Sequence, residues 1–352
     1  MDAISPQHLV STIMVSLTFW PPEPPLPYRA ARSPRGPAMK SVALPRRPEV
    51  TVTAIGFGGA PIGGLYEPIS DERARDAVDA AWDHGVRYFD TAPHYGLGLS
   101  ERRVGAALSA RPGRTLSTKV GRLLEPDGAD GSLRRVRDYS RDGVRRSLES
   151  SLERLGADRI DIVFVHDPDE HGEQARAEAV PALCELRDQG VIGAVGVGMN
   201  QSAMLAEFIA ETDVDLVMCA GRYSLLEQPA LADLLPLAQQ HQVGVLAAGV
   251  FNSGLLARPD PGEDATYDYR QAPPEVLSRA RALAAVCREH GTSLPAAAMW
   301  FPSAHPAVLG VVLGMGSADE VRQNLALVPP PADLWRDLVA RGLLAPDAIV
   351  PE

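Results

Sequence analysis

Residues 160–197 read IDIVFVH, DPDEHGEQARAEAVPALCELRDQG, VIGAVGV, and this stretch decides the fold. Ile160–His166 is a short run rich in β-branched residues, apolar at every position from 162 to 165 as in a strand covered on both faces. Val191–Val197 is a second run of the same kind. Between them, Ala175–Gln189 carries its apolar residues at helical spacing. A strand, a helix and a strand in succession specify a parallel βαβ unit, because parallel neighbours need a crossover and the helix supplies it.

The same alternation extends in both directions. Strands are predicted at Val50–Phe57, Val86–Asp90, Leu116–Val120, Leu216–Ala220, Gly244–Ala248 and Val308–Leu313. Helical patterns fall near Asp71–His84, Ser100–Ala107, Asp142–Leu155, Ser202–Glu211, Ala230–Gln240, Glu275–His290 and Ala318–Leu327. The first run includes a lead-in hairpin. About eight units in roughly 280 residues suit a closed (β/α)8 barrel, an α/β fold in a single domain. An open doubly wound sheet needs a glycine-rich phosphate turn that opens a helix. Here Gly56-Phe57-Gly58-Gly59-Ala60-Pro61 leads into more prolines and glycines, and no helix starts before Ser70. The expected organisation is an extension at 1–40, the barrel at 41–340 and a tail at 341–352.

Eight of the 31 prolines lie in residues 1–40, including Pro21-Pro22-Glu23-Pro24-Pro25, and such a segment is expected to be disordered. Its apolar stretch Leu9–Trp20 is shorter than the roughly 20 residues that cross a bilayer, and it lacks a basic flank and a clear cleavage site. The composition of the whole chain, 45% hydrophobic and 22% charged, supports a substantial core. A net charge of −11 without a Lys/Arg block argues against nucleic acid or an anionic membrane as partner. Cys184, Cys219 and Cys287 are odd in number and widely spaced, which excludes a disulfide framework and fits a reducing cytoplasm. Oligomeric state is not legible.

Polar residues gather at predicted strand ends, where barrels of this kind carry their chemistry. Asp90 ends one strand and Tyr95 lies just beyond it; Lys119 stands near the end of the next, and His166 ends the one after. Singly, each has a plain reading: a turn cap, a loop aromatic, a snorkelling lysine, a core histidine. Jointly they say more, because an unpaired ammonium closing an apolar strand is costly and Asp90 is the neighbouring anion. The run His166-Asp167-Pro168-Asp169-Glu170-His171 is dense in metal-ligand types. Pro168 interrupts it and no HxH or HExxH spacing supports it, so no catalytic metal is expected.

The string Phe89-Asp90-Thr91-Ala92-Pro93-His94-Tyr95-Gly96, followed by Ser100-Glu101, resembles the signature of the aldo-keto reductase superfamily. Lys119 in Ser-Thr-Lys-Val-Gly and His166 in Asp-Ile-Val-Phe-Val-His match its other two catalytic positions. Residues 117–124, 196–201, 220–226 and 249–256 are similar to the bacterial aldose 1-dehydrogenase branch. The resemblance covers residues 50–328 and implies NAD(P)-dependent oxidation of an aldose, such as L-fucose or D-arabinose, at C1. On that reading Tyr95 is the general base, Lys119 lowers its pKa, Asp90 holds Lys119, and His166 orients the substrate oxygen. Pyridoxal oxidation or aldehyde reduction is the alternative within the family, and a cofactor-sensing subunit with little turnover is the alternative outside catalysis.

The same resemblance implies cofactor contacts at Gly314, Gly316, Ser317, Glu320 and Asn324, where a helix opens after the last strand and favours phosphate. It also implies a pyrophosphate clasp at Phe251, Ser253 and Gly254. Glu320 in place of a basic residue favours NAD over NADP, since a carboxylate accepts from a ribose 2′-hydroxyl and repels a 2′-phosphate. Ser317-x-x-Glu320 is equally a capping box. Asn200 has two open roles, holding the carboxamide or capping the next helix. Three positions depart from the broad superfamily: Gly198-Met199 replaces Ser-Asn, Ala220 a Gln, and Ala248 a stacking Tyr. Tyr66, His94, Asp167, Met199, Arg222 and Asn252 are the candidate contacts to a small sugar or aldehyde.

Overall fold

The computed structural model describes residues 39–65, 67–128 and 131–352. The proline-rich extension, apart from Met39 and Lys40, lies outside the described residues, and so does Tyr66.

The order is β1 (Ile55–Gly58), α1 (Asp71–Asp83), β2 (Tyr88–Asp90), α2 (Leu99–Leu108), β3 (Thr115–Val120), α3 (Arg141–Leu155), β4 (Ile160–His166), α4 (Val180–Asp188) and β5 (Ile192–Met199). There follow α5 (Ser202–Glu211), β6 (Leu216–Ala220), α6 (Leu234–Gln240), β7 (Gly244–Ala248), α7 (Pro274–Glu289), β8 (Val308–Gly314), α8 (Ala318–Leu325) and α9 (Ala332–Ala340). Strands β1 to β8 pair in parallel in sequence order, and β8 pairs with β1. The result is the closed (β/α)8 barrel that the alternation predicts.

Helix starts follow local chemistry. The Ser70, Ser140 and Ser317 hydroxyls each accept from the backbone amide three residues on, which satisfies one of the unpaired N–H groups at a helix start. In α1, Ala74, Ala77, Val78 and Ala81 recur at helical spacing and are buried against the sheet. The helix expected at Ala175–Gln189 begins earlier, at Gly172, and widens to a π-turn over Ala175–Ala179 before α4. Pro181 explains the change: it has no N–H to offer the preceding turn, and its ring opposes a regular α-helical frame there.

Two apolar regions result. One lies between strands and helices; the other fills the barrel itself with Tyr88, Ile162, Phe164, Leu216, Met218, Leu246, Leu309 and Val312. The lead-in hairpin, Ser41–Leu44 with Arg47–Thr53, adds Leu44, Val50 and Val52 to that inner set. Arg47 Nε donates to Asp215 Oδ1 (3.0 Å), and Arg187 and the Val195 amide bind the same buried carboxylate. The hairpin therefore stoppers the N-terminal end of the barrel and leaves the C-terminal mouth for chemistry. A second hairpin, Arg122–Pro126 with Leu133–Arg137, and helix α9 have no counterpart in the sequence reading. Among the described residues no helix is long and apolar enough to cross a membrane.

Candidate active site at the barrel mouth

Strand register builds the site. Asp90 on β2 lies level with Ser117 on β3, Lys119 with Phe164 on β4, and His166 with Gly198 on β5. Lys119 is thus two residues further out than Asp90 and must reach back to it. Its Nζ donates to Asp90 Oδ2 (2.6 Å) and to the Thr91 carbonyl (2.9 Å), with both charged side chains almost fully buried. The Lys119 ammonium lies 4.8 Å from the centroid of the Tyr95 ring, and the His166 imidazole packs edge-on to the same ring at 5.8 Å. All four residues singled out at strand ends converge.

The electrostatics correct one expectation. Burial opposes the charge of Lys119, but Asp90 and Tyr95 outweigh it, so Lys119 is held as an ammonium with its pKa raised. Tyr95 goes the other way from the sequence reading. The residue keeps part of its surface exposed, yet protein crowds the phenol and desolvation pushes its pKa up to about 12. Lys119 does pull it down, and Asp90 pushes it up; desolvation is the larger effect. Tyr95 at rest is therefore a firmly protonated phenol, poised to donate. Burial, then Lys119, Arg122 and His94, hold His166 well below the ordinary histidine range, so its ring is neutral. His94 is lowered to about 4 by burial and by Arg122.

Around this centre, His94 meets His166 edge-on at 5.8 Å, and the Nδ1 atoms of both rings are buried without a protein partner. Asp167 has the left-handed φ of 41° and pairs with Arg122 (2.8 Å). Tyr139 donates to the carbonyls of His166 (2.7 Å) and Asp167 (2.8 Å), which fixes the end of β4. Arg122 and Arg135 come from the unforeseen hairpin; Arg135 donates to the His94 carbonyl at 3.2 Å. Leu133-Arg134-Arg135-Val136-Arg137 has its apolar residues three apart, so it carries no strand period that could have found it. Among the described residues, no three His, Cys, Asp or Glu side chains converge as a metal site.

A cleft of about 470 Å³ adjoins the mouth, lined by the whole 249–255 loop, by residues between Ala257 and Thr266, and by Gly314 and Glu320. Its walls fit a dinucleotide: a loop whose Gly249 and Gly254 have left-handed φ, facing the segment at which α8 opens. Glu320 is used in capping, accepting from the Gly316 amide (2.8 Å) while its own amide donates to Ser317 (3.2 Å). Arg73 of α1 sits beside it, donating to the Gly316 carbonyl (3.1 Å). Arg322 pairs instead with Asp319. Asn324 is half-buried on α8 and Phe251 half-buried in the cleft wall. Asn200 caps nothing; its Nδ2 donates to the Ala220 carbonyl (3.1 Å), tying β5 to the end of β6.

Several expected contacts are committed elsewhere. Met199 is 2% exposed and belongs to the helix–strand core, because alternate residues of β5 point outward. Arg222 pairs with Glu227 (3.1 Å) and, through both terminal nitrogens, with Asp268. Asn252 is buried and donates to the Gly221 carbonyl and to Glu227. Ser253 Oγ accepts from the Tyr269 amide (3.2 Å) and keeps its own proton to donate into the cleft that it lines. These residues fasten the loops after β6 and β7 to one another, and sequence spacing gives no sign of that.

Known proteins share this fold. The Aldo/keto reductase family matches residues 54–334. A D-threo-aldose 1-dehydrogenase of a Pseudomonas species is 44% identical over 314 residues, covering 84% of this chain and 95% of that protein. A pyridoxal 4-dehydrogenase of Microbacterium luteolum is 40% identical over 85% of this chain and 96% of that protein. Among solved structures, the holo form of an aldo-keto reductase from Bacillus halodurans superposes with a TM-score of 0.70 at 28% identity, covering 89% of this chain and 98% of that one. With the match spanning the barrel from β1 to α9, the chain belongs to the aldo/keto reductase family and is an NAD(P)-dependent oxidoreductase.

Proposed function

We propose that the enzyme oxidises an aldose at C1 to the lactone: Tyr95 first gives its own proton to solvent, and the phenolate then takes the C1 hydroxyl proton as C1 gives hydride to the nicotinamide. When bound, the nicotinamide ring supplies the hydride acceptor for oxidation and the donor for reduction. The observation that carries the reading is the buried Asp90–Lys119 pair, set 4.8 Å from the Tyr95 ring. A fixed ammonium beside a phenol steadies the phenolate that forms when Tyr95 gives up its proton, and it does so without moving. His166, held neutral, donates a hydrogen bond to the substrate oxygen and keeps it in line with Tyr95. In the reverse direction the protonated Tyr95 is the general acid, the state that its pKa of about 12 favours.

Two neutral imidazoles, His94 and His166, meet edge-on beside Tyr95, and Asp167 next to them is a carboxylate acceptor. Such a mixture suits a ring with several hydroxyls. Similarity to the pyridoxal 4-dehydrogenase supports a second reading, an aromatic aldehyde at the same mouth. Glu320, facing the cleft and already fixed by its capping bonds, supports NAD as the preferred cofactor. The test is a panel of aldoses, pyridoxal and short aldehydes with both cofactors. Tyr95→Phe should abolish turnover on all of them while leaving cofactor affinity intact. An active Tyr95→Phe enzyme overturns the role of Tyr95, and turnover of pyridoxal but no aldose replaces the substrate class.

A further inference from the structure

Beneath the catalytic layer of the barrel lies a second polar layer. Tyr88 is two residues before Asp90 on β2, and Ser117 is two before Lys119 on β3, so each pair points into the same interior. Tyr88 and Ser117 are both 0% exposed. The Tyr88 hydroxyl lies 2.9 Å from Ser117 Oγ, which lies 2.7 Å from Asp90 Oδ1; the other Asp90 oxygen takes Lys119 at 2.6 Å. Proton counting fixes the direction of this chain. A carboxylate paired with an ammonium only accepts, so the single Ser117 proton goes to Asp90. Ser117 then has only lone pairs left for Tyr88, and Tyr88 must donate to it.

The register shows why the serine matters. Asp90 lies level with Ser117, not with Lys119, so the lysine approaches Asp90 obliquely from above while Ser117 meets it from the side. Held by Lys119 alone, the carboxylate would be free to turn about its Cβ–Cγ bond, and only the Thr91 carbonyl would then restrain the ammonium. With both oxygens engaged, neither turns. Space for this layer is made on the neighbouring strand, where a Cβ on Gly56 would stand 2.5 Å from the Tyr88 ring.

We infer that Ser117 is a positioning residue for proton transfer, donating to Asp90 so that Lys119 is held against Tyr95, and that Tyr88 orients Ser117 from below. The inference rests on the proposed role of Tyr95, which Tyr95→Phe tests separately. Removing the hydroxyl in Ser117→Ala costs Asp90 a charge-assisted bond in a buried setting, and kcat should fall about tenfold. Substrate KM and cofactor Kd, read by tryptophan fluorescence quenching, should stay within about twofold, because neither ligand touches Ser117. Tyr88→Phe keeps the ring and leaves Ser117 its proton for Asp90, so kcat should fall only about two- to threefold. Ser117→Thr and Ser117→Val have the same shape and differ by the hydroxyl alone; Thr should keep most of kcat and Val should lose it as Ala does. Equal kcat in the Thr and Val variants overturns the inference, as does unchanged kcat in Ser117→Ala or a greater loss in Tyr88→Phe than in Ser117→Ala.

Discussion

Neutralising Asp90 should expose how much of this barrel's stability is tied up in its chemistry. Lys119 is 2% exposed, and its only bonded partners among the described side chains and carbonyls are Asp90 (2.6 Å), the Thr91 carbonyl (2.9 Å) and the neighbouring Tyr95 phenol. In Asp90→Asn the cavity stays filled, but a buried ammonium loses its counter-charge. Breaking a buried pair from one side costs about 3–5 kcal/mol. The surviving Thr91 bond and the amide oxygen of the new side chain place the loss near the lower end, about 3 kcal/mol. Lys119→Met should cost a similar amount, because it strands the Asp90 carboxylate with Ser117 as its remaining donor. The double variant carries no buried charge, so its loss should be well below the sum of the two single losses, with a coupling of about 2–3 kcal/mol. Urea unfolding of the four proteins, followed by tryptophan fluorescence, gives the cycle. All three variants should be nearly inactive, and the double variant about as stable as either single one without recovering turnover. Additive losses, or a double variant as unstable as the sum, would refute the claim that the pair is desolvated and mutually dependent.

Two further outcomes follow from the site. Because burial pushes Tyr95 up to about 12, the protonated form persists through the alkaline range: reduction should stay flat from neutrality upward. Oxidation, which needs the phenolate, should keep rising with pH and show no plateau below about pH 9; initial rates in both directions across a buffer series check this, and a plateau near neutrality would contradict it. Glu320→Ala should lower affinity for NAD while improving relative affinity for NADP, since it removes a carboxylate from the cleft wall; titration with each oxidised cofactor measures both.

The local sequence carried most of the architecture. Period and composition are enough to tell a buried strand from an amphipathic helix, and Ile160–His166 is found where the apolar run places it. The four convergent residues were legible for a topological reason: in a parallel barrel, every strand end points to one mouth, so position along a strand already gives position in space. Ligand-facing loops obey no such rule. Arg222 and Asn252 have the residue types of a binding site, yet the fold pairs them with Glu227 and Asp268, partners that sequence spacing cannot suggest. The hairpin at 122–137 was missed for a related reason, since a short two-stranded excursion leaves little periodic signal beside the helix and strand that flank it.

Tertiary structure decided what depends on burial. The sequence places Lys119 near Tyr95 and implies a lowered phenol pKa; only the folded surroundings reveal that desolvation outweighs the cation. The register that sets Asp90 beside Ser117, and Tyr88 beneath them, follows from the barrel's stagger, which no single strand encodes. Sequence fixes which groups reach the mouth because strand ends are a one-dimensional property. Protonation and orientation are set by what surrounds those groups, and that is known only once the chain has closed on itself.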